Sequence, residues 1–183
     1  AALKNADESI REPLKYWETN VAGTVTLLQA MEHEGVDRLV FASSAAVHGT
    51  TPYGQTKRAC ELMIQSCTWL KAGILRIFNV TPNALFNCAE NGFVQINGND
   101  YPTKDGTCER DFIDIRHVAR AINLAAMSDK SFLCDIGTGV KTSVMGVVNQ
   151  HKSRYSVGPR RDGDIVSSVA DIEPAKSILG FVA

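Results

Sequence analysis

Over residues 13–34 the apolar positions Leu14, Trp17, Val21, Val25, Leu28 and Met31 recur at three- and four-residue intervals, which predicts a helix with one buried face. Pro13 suits its first turn and Gly35 the position just past its end. The run RLVFASS that follows is β-branched and aromatic and predicts a buried strand. A second helix is expected over about 52–70, with Cys60, Met63, Ile64 and Cys67 facing inward, and Gly73 then leads into a strand at ILRIF. Helix, strand, helix, strand with short connections is the signature of a parallel α/β sheet. Beyond Asn79 the pattern weakens. VTPNALFNCAENG reads as a loop, VQING as a short strand, DFIDI as a strand, RHVARAINLAAM as a helix and FLCDIG as a strand. TSVMGVVNQH predicts a helix capped by Thr142 or Ser143. Asp171, Pro174 and Gly180 mark the cap, first turn and end of a last short helix.

The bulk properties narrow the class. The chain has 183 residues and a formal net charge of −1, so it offers no electrostatic footprint for nucleic acid or an anionic membrane. No apolar run reaches the length of a membrane span, and no charged-then-apolar leader opens the sequence. The five cysteines, at 60, 67, 88, 108 and 134, form no CxxC pair, which favours reduced thiols over disulfides or zinc and predicts a soluble cytoplasmic protein with no metal site.

The chemistry concentrates at PYGQTK. Four residues apart on a helix, Tyr53 and Lys57 share a face. An ammonium about 4 Å from a phenol is worth roughly 4 kcal/mol at an effective dielectric near 20. At about 1.4 kcal/mol per pKa unit, this draws the phenol from near 10 towards roughly 7, the range of a usable general base. A hydroxyl that binds the same substrate oxygen is best fixed at a strand end, and Ser44 closes RLVFASS. A bare YxxxK is more often a helix start with a surface lysine, so the surrounding segments decide.

SSAAV followed by PYGQTK resembles the Ser–Tyr–Lys site of the extended short-chain dehydrogenase/reductase superfamily. The stretch ending in NVAGT, the strand LRIFNV, the segment GNDYPTKDGTCERDFIDI and the loop PRRDGD are similar, in the same order, to the UDP-glucose (UDP-galactose) 4-epimerase branch. The resemblance implies an incomplete Rossmann-type parallel sheet, its N-terminal strands missing, with a smaller C-terminal substrate domain. Residues 1–79 are expected to form the second half of the NAD-binding domain and 80–183 a nucleotide-sugar-binding region, with about 111–137 returning to the sheet. It implies NAD-dependent 4-epimerisation of a UDP-hexose through a transient 4-keto sugar. Tyr53 takes the proton from the 4-hydroxyl, Ser44 hydrogen-bonds the 4-oxygen, and Lys57 acidifies the tyrosine and holds the nicotinamide ribose. Lys4, Asn20 and Phe78 match further cofactor positions. Arg110 and Arg161 match the diphosphate contacts, a role suited to the planar guanidinium fork, Asp164 the ribose contact and Asn79 the sugar-phosphate contact. Asn97 stands where the family usually carries an aromatic residue, and Ser168 at a position lining the hexose pocket, where a small residue goes with tolerance of N-acetylated sugars. The family also implies a homodimer through helices at about 13–34 and 53–70.

The sequence departs from the family in ways that set expectations. The glycine-rich strand, turn and helix that cradle the pyrophosphate are not in this chain, which predicts that the chain alone binds NAD weakly or not at all. Several connections are short, including AAVHGTTP between Ser44 and Tyr53. DIGTGVKT looks like a dinucleotide-binding glycine motif, but Thr142 replaces its last glycine, and it reads instead as the start of a helix. His48 and His117 read as surface or loop residues. The competing readings are an inactive fragment or dimerising module of the same fold, and an epimerase of UDP-N-acetylhexosamine or UDP-glucuronate. A 4,6-dehydratase is disfavoured by Ala45 and Ala46 after the serine pair.

Overall fold

The computed structural model describes residues 2–161 and 163–183, which separate into two compact units. The first comprises residues up to Arg76 together with Ile122–Cys134; the second comprises Ile77–Ala121 and Asp135–Ala183. Among the described residues no helix is long and apolar enough to cross a membrane.

In the first unit, α1 (Ala6–Arg11), α2 (Pro13–Tyr16) and α3 (Gly23–His33) lead to β1 (Arg38–Ser44), α4 (Pro52–Ser66) and β2 (Lys71–Ile77). The apolar face expected over 13–34 is present, but a π-helical turn at Trp17–Ala22 divides it into α2 and α3. Leu28 and Met31 of α3 pack with Ile64 of α4 and with Leu70, Ala72 and Ile74 at β2. Each fully buried side chain of this size contributes about 1.5–3 kcal/mol. The second helix stops at Ser66, short of the expected 70. Cys67 turns extended at φ −80° and ψ 90°, and the chain doubles back so that Leu70 reaches the core.

The second unit contains β3 (Asn79–Thr81), α5 (Ala84–Glu90), β4 (Phe93–Asn97), β5 (Glu109–Arg110), β6 (Phe112–Asp114) and the start of α6 (Ile115–Ala126). After β7 (Phe132–Ile136) it continues through β8 (Thr142–Ser143), α7 (Val144–His151), β9 (Arg154–Gly158), β10 (Ser167–Ser168) and α8 (Glu173–Leu179). β7 lies in a three-stranded sheet of order β1–β2–β7. β3 pairs in parallel with β6, β4 with β9, and β10 with β5, whose other edge meets β8 antiparallel. A core of Ala89, Val94, Ile96, Val147 and Val148 joins α5 and α7 to β4.

Three expectations need correction here. The stretch read as a loop after Asn79 contains β3 and α5, because Asn83 caps α5 by accepting from the backbone N–H of Leu85 and Phe86 at 3.1 and 3.3 Å. The DIGTGVKT segment does not open a helix directly: β8 intervenes, and α7 starts at Val144 with Ser143, not Thr142, as its cap. Asp171 sits one residue ahead of the last cap position, Ile172, and its carboxylate accepts from Glu173 N–H at 3.2 Å.

Candidate functional site

Ser44 ends β1 and Tyr53 lies in the first turn of α4, so their separation depends on the eight residues between them, AAVHGTTP. That connection is a 3₁₀ turn, Ala45–His48, whose N–H at Ala46 is capped by the Ser44 hydroxyl at 3.2 Å. Thr51 caps α4, accepting from Gly54 N–H at 3.3 Å, and Pro52 occupies the first helical turn. Gly54 permits the close approach, since a Cβ there would lie 2.1 Å from the carbonyl oxygen of Ala46. The short linker therefore draws the helix start onto the strand end.

The Tyr53 phenol is under the influence of the Ser44 hydroxyl at the end of β1. Burial pushes its pKa above the ordinary value, and the Ser44 hydroxyl opposes part of that rise. Tyr16, fully buried in α2, sets its ring edge-on to Tyr53 with centroids 6.4 Å apart. Its own hydroxyl is tied down on both sides, donating to Glu8 Oε2 at 2.9 Å and accepting from Asn5 N–H at 3.1 Å.

Lys57 follows one turn later on α4 and is buried. Its ammonium donates to the Ala42 carbonyl oxygen at 2.8 Å and lies 4.8 Å from the centre of the Phe41 ring, both on β1. Burial lowers its pKa. The acidification of Tyr53 by Lys57, expected from their spacing, is not what dominates here: burial raises the phenol because desolvation penalises the phenolate, while the ammonium is engaged with the strand.

A buried ion pair fixes α4 to the strands. Glu61, one turn beyond Lys57, accepts from Arg76 Nε at 2.9 Å and from its terminal nitrogen at 2.7 Å. Its Oε1 also accepts from the Ser43 hydroxyl at 2.6 Å. Burial pushes this carboxyl up, yet Arg76 and Ser43 outweigh it and hold it below the usual carboxylate value. Ser43 is the neighbour of Ser44, so the same network orients the strand end and the helix that carries Tyr53 and Lys57. The sequence reading missed Glu61, Arg76 and Tyr16; a charged residue one turn after YxxxK, on an inward helix face, was the available signal.

Asn20 lies on the π-helical turn and is buried. Its amide brackets the backbone of Leu3, accepting from Leu3 N–H at 2.8 Å and donating to Leu3 O at 3.1 Å, and it donates to Thr56 Oγ1 at 3.1 Å. It thereby fixes the segment that carries the exposed Lys4 beside α4. π-turns inserted in helices are frequent at functional sites, and this one aims Asn20 inward.

The remaining positions belong to the second unit. Arg110 is ion-paired with Asp164 and also donates to Ile165 O at 2.9 Å. Ser168 is its cross-strand partner on β10. Arg161 is exposed, and its carbonyl accepts from Asp164 N–H at 3.2 Å. Asn79 donates through its amide to Asp111 O at 3.2 Å. Phe78 is buried, its N–H bonded to Ile136 O at 3.0 Å. Asn97 ends β4, opposite Gly158 on β9, in a sheet separate from Arg110 and Ser168. Arg110, Asp164 and Ser168 are thus gathered, and Asn97 is not in their sheet. His48 is exposed, whereas His117 is half-buried with an Nδ1 that has no hydrogen-bond partner among the described residues.

A model of the NAD dependent epimerase/dehydratase family matches residues 1–133. The chain belongs to this family. A UDP-glucose 4-epimerase of Lactobacillus helveticus is 33% identical over 229 residues, covering 99% of this chain and 69% of the relative. That alignment is longer than the 183 residues of the chain, as shortened internal connections require. Among solved structures, the UDP-glucose-4-epimerase of Stenotrophomonas maltophila with bound NAD and formylated UDP-arabinopyranose superposes with a TM-score of 0.91 at 34% identity, over 100% of this chain and 69% of that one. The Bifidobacterium longum UDP-glucose 4-epimerase in complex with NAD+ and UDP also gives 0.91, at 28% identity, over 100% and 70%.

Proposed function

We propose that this protein is a UDP-hexose 4-epimerase whose proton chemistry is carried by Tyr53, Ser44 and Lys57. The observation that supports it most directly is the close approach of Gly54, beside Tyr53, to the Ala46 carbonyl just past Ser44, which brings the helix start onto the strand end in a chain of the NAD dependent epimerase/dehydratase family. The residues fit the nicotinamide–ribose end of NAD: a buried ammonium with three donor hydrogens and one backbone acceptor at 2.8 Å suits a pair of ribose hydroxyls. Bound NAD supplies the acceptor, and later the donor, of the hydride at C4. Tyr53 takes the 4-hydroxyl proton and returns it after the 4-keto sugar has turned over. Ser44 donates to the same oxygen, and Lys57 holds ribose and provides the positive charge that a phenolate in a buried site requires.

Lys4, Asn20 and Phe78 are proposed on the cofactor side. Arg110, Arg161, Asp164, Asn79, Asn97 and Ser168 are proposed on the UDP-sugar side, where the Arg110–Asp164 pair presents a preset guanidinium for diphosphate beside a carboxylate for ribose. We further propose a homodimer through the helices at about 13–34 and 53–70. Leu14, Leu27 and Leu62 are 80%, 48% and 56% exposed on these elements, a poor surface for an isolated chain and a suitable one for a second copy. The five cysteines form no CxxC pair, a spacing that favours a reducing compartment, the cytoplasm.

The test is interconversion of UDP-glucose and UDP-galactose with NAD supplied. Tyr53→Phe keeps the ring against Tyr16 and removes the proton acceptor, so the rate is expected to fall by about 10²–10⁴-fold. Wild-type rates in Tyr53→Phe, or no turnover of either sugar by the wild-type protein, defeat the reading.

A further inference from the structure

The side chain of Asp111 is fully buried and takes no part in the proton chemistry proposed above. Its carboxylate is gripped by the loop after β7. Thr138 N–H lies 2.9 and 3.0 Å from the two oxygens, Thr138 Oγ1 donates at 2.6 Å, and Gly139 N–H donates at 2.8 Å. A further N–H, from Ala170 just past β10, donates at 3.2 Å. The loop lies so close that a Cβ on Gly137 would sit 2.4 Å from Asp111 Oδ2. This accounts for the glycine-rich DIGTG segment that resembled a dinucleotide motif: its backbone cradles a carboxylate of its own chain.

The main chain of Asp111 ties together the residues proposed to meet the nucleotide. Its carbonyl accepts from Asn79 N–H at 3.1 Å and from the Asn79 amide at 3.2 Å. Its N–H donates to Ser168 O at 3.0 Å. Arg110, the preceding residue, pairs across the strands with Ser168. Asn79, Arg110 and Ser168 come from three distant stretches of sequence, and one residue sets their mutual spacing.

A buried carboxylate is expensive, and an apolar side chain of equal volume would often fill a core at no loss of stability. What the charge adds is a single position, because several converging donors accept only one placement of its oxygens. We propose that Asp111 is a positioning residue that sets the affinity of the site for the nucleoside diphosphate half of the substrate. This rests on the assignment of Asn79, Arg110 and Ser168 to that half.

The test is Asp111→Asn, which keeps the shape but turns one end of the carboxylate into a donor facing N–H groups. UDP binding by calorimetry, and KM and kcat for UDP-galactose with saturating NAD, are compared with wild type. The expected result is a rise of ten-fold or more in both the Kd for UDP and KM, with kcat within about three-fold. Loss confined to kcat at unchanged KM is what a merely structural defect gives, through a smaller folded fraction, and overturns the proposal. Should Asp111→Asn not fold, Thr138→Val removes one donor only and carries the test, with an expected three-fold rise in KM; an unchanged KM there overturns it. Arg110→Met separates the two layers of the argument. If it leaves UDP affinity intact, the nucleotide assignment fails and this inference with it; if it weakens UDP binding while Asp111→Asn does not, only this inference fails.

Discussion

Replacing Arg76 by methionine leaves the Glu61 carboxylate in the core with the Ser43 hydroxyl at 2.6 Å and Arg58 at 3.8 Å as its nearest remaining partners. The Glu61 side chain is only 1% exposed and that of Arg76 13%, so water replaces little of what is lost. Removing one partner of such a pair costs about 3–5 kcal/mol, a large share of the roughly 5–15 kcal/mol that holds a protein folded. With a urea m-value of about 2 kcal/mol/M, the unfolding midpoint drops by roughly 2 M. Removing both charges, in Glu61→Leu with Arg76→Met, restores most of that stability, because the desolvation cost of the carboxylate goes with it. The pH dependence has a definite sign. In the wild type Glu61 is held below its ordinary value, so its contribution is complete above the unfolded carboxyl pKa and is lost as pH falls through the lower folded one. In Arg76→Met burial is no longer outweighed by the arginine, the folded pKa rises above the unfolded one, and the destabilisation is relieved as pH falls through it. The deficit of the mutant relative to wild type therefore shrinks between pH 7 and pH 5. Urea melts at both pH values measure it. A deficit below about 1 kcal/mol, a double mutant no better than the single one, or a deficit that does not change with pH refutes this account of the buried pair.

Lys57→Met should slow epimerisation, and part of the loss should return at alkaline pH as the Tyr53 phenol, raised by burial, ionises without help; a pH–rate profile with no recovery assigns Lys57 to cofactor positioning alone. Light scattering should give twice the chain mass for the wild type, and Leu14→Glu with Leu62→Glu, both on exposed apolar faces, should shift it towards the monomer; a monomeric wild type refutes the proposed interface.

The sequence by itself determined the main helices and strands of the first unit, though not α1 or the π-helical turn that divides α2 from α3, and the identity of its reactive groups. The apolar spacing over 13–34, the RLVFASS strand and the PYG helix start are local signals, and Tyr53 and Lys57 are four residues apart on one helix whatever surrounds them. In the second unit the signals were weaker, since β9 is exposed at most of its positions and takes its form from pairing with β4, and β5, β8 and β10 are two-residue strands that exist only through one another. The tertiary structure alone decided the environment of each charge. Spacing placed an ammonium near a phenol, but burial, Ala42 and Phe41 govern Lys57 in the fold. Glu61 and Arg76 are fifteen residues apart, and Asp111 lies 27 from Thr138 and 59 from Ala170. No local pattern announces such partners, because a carboxylate that caps a distant loop is indistinguishable in sequence from one that faces water. Desolvation distinguishes them, and it acts only once the chain has closed around the charge.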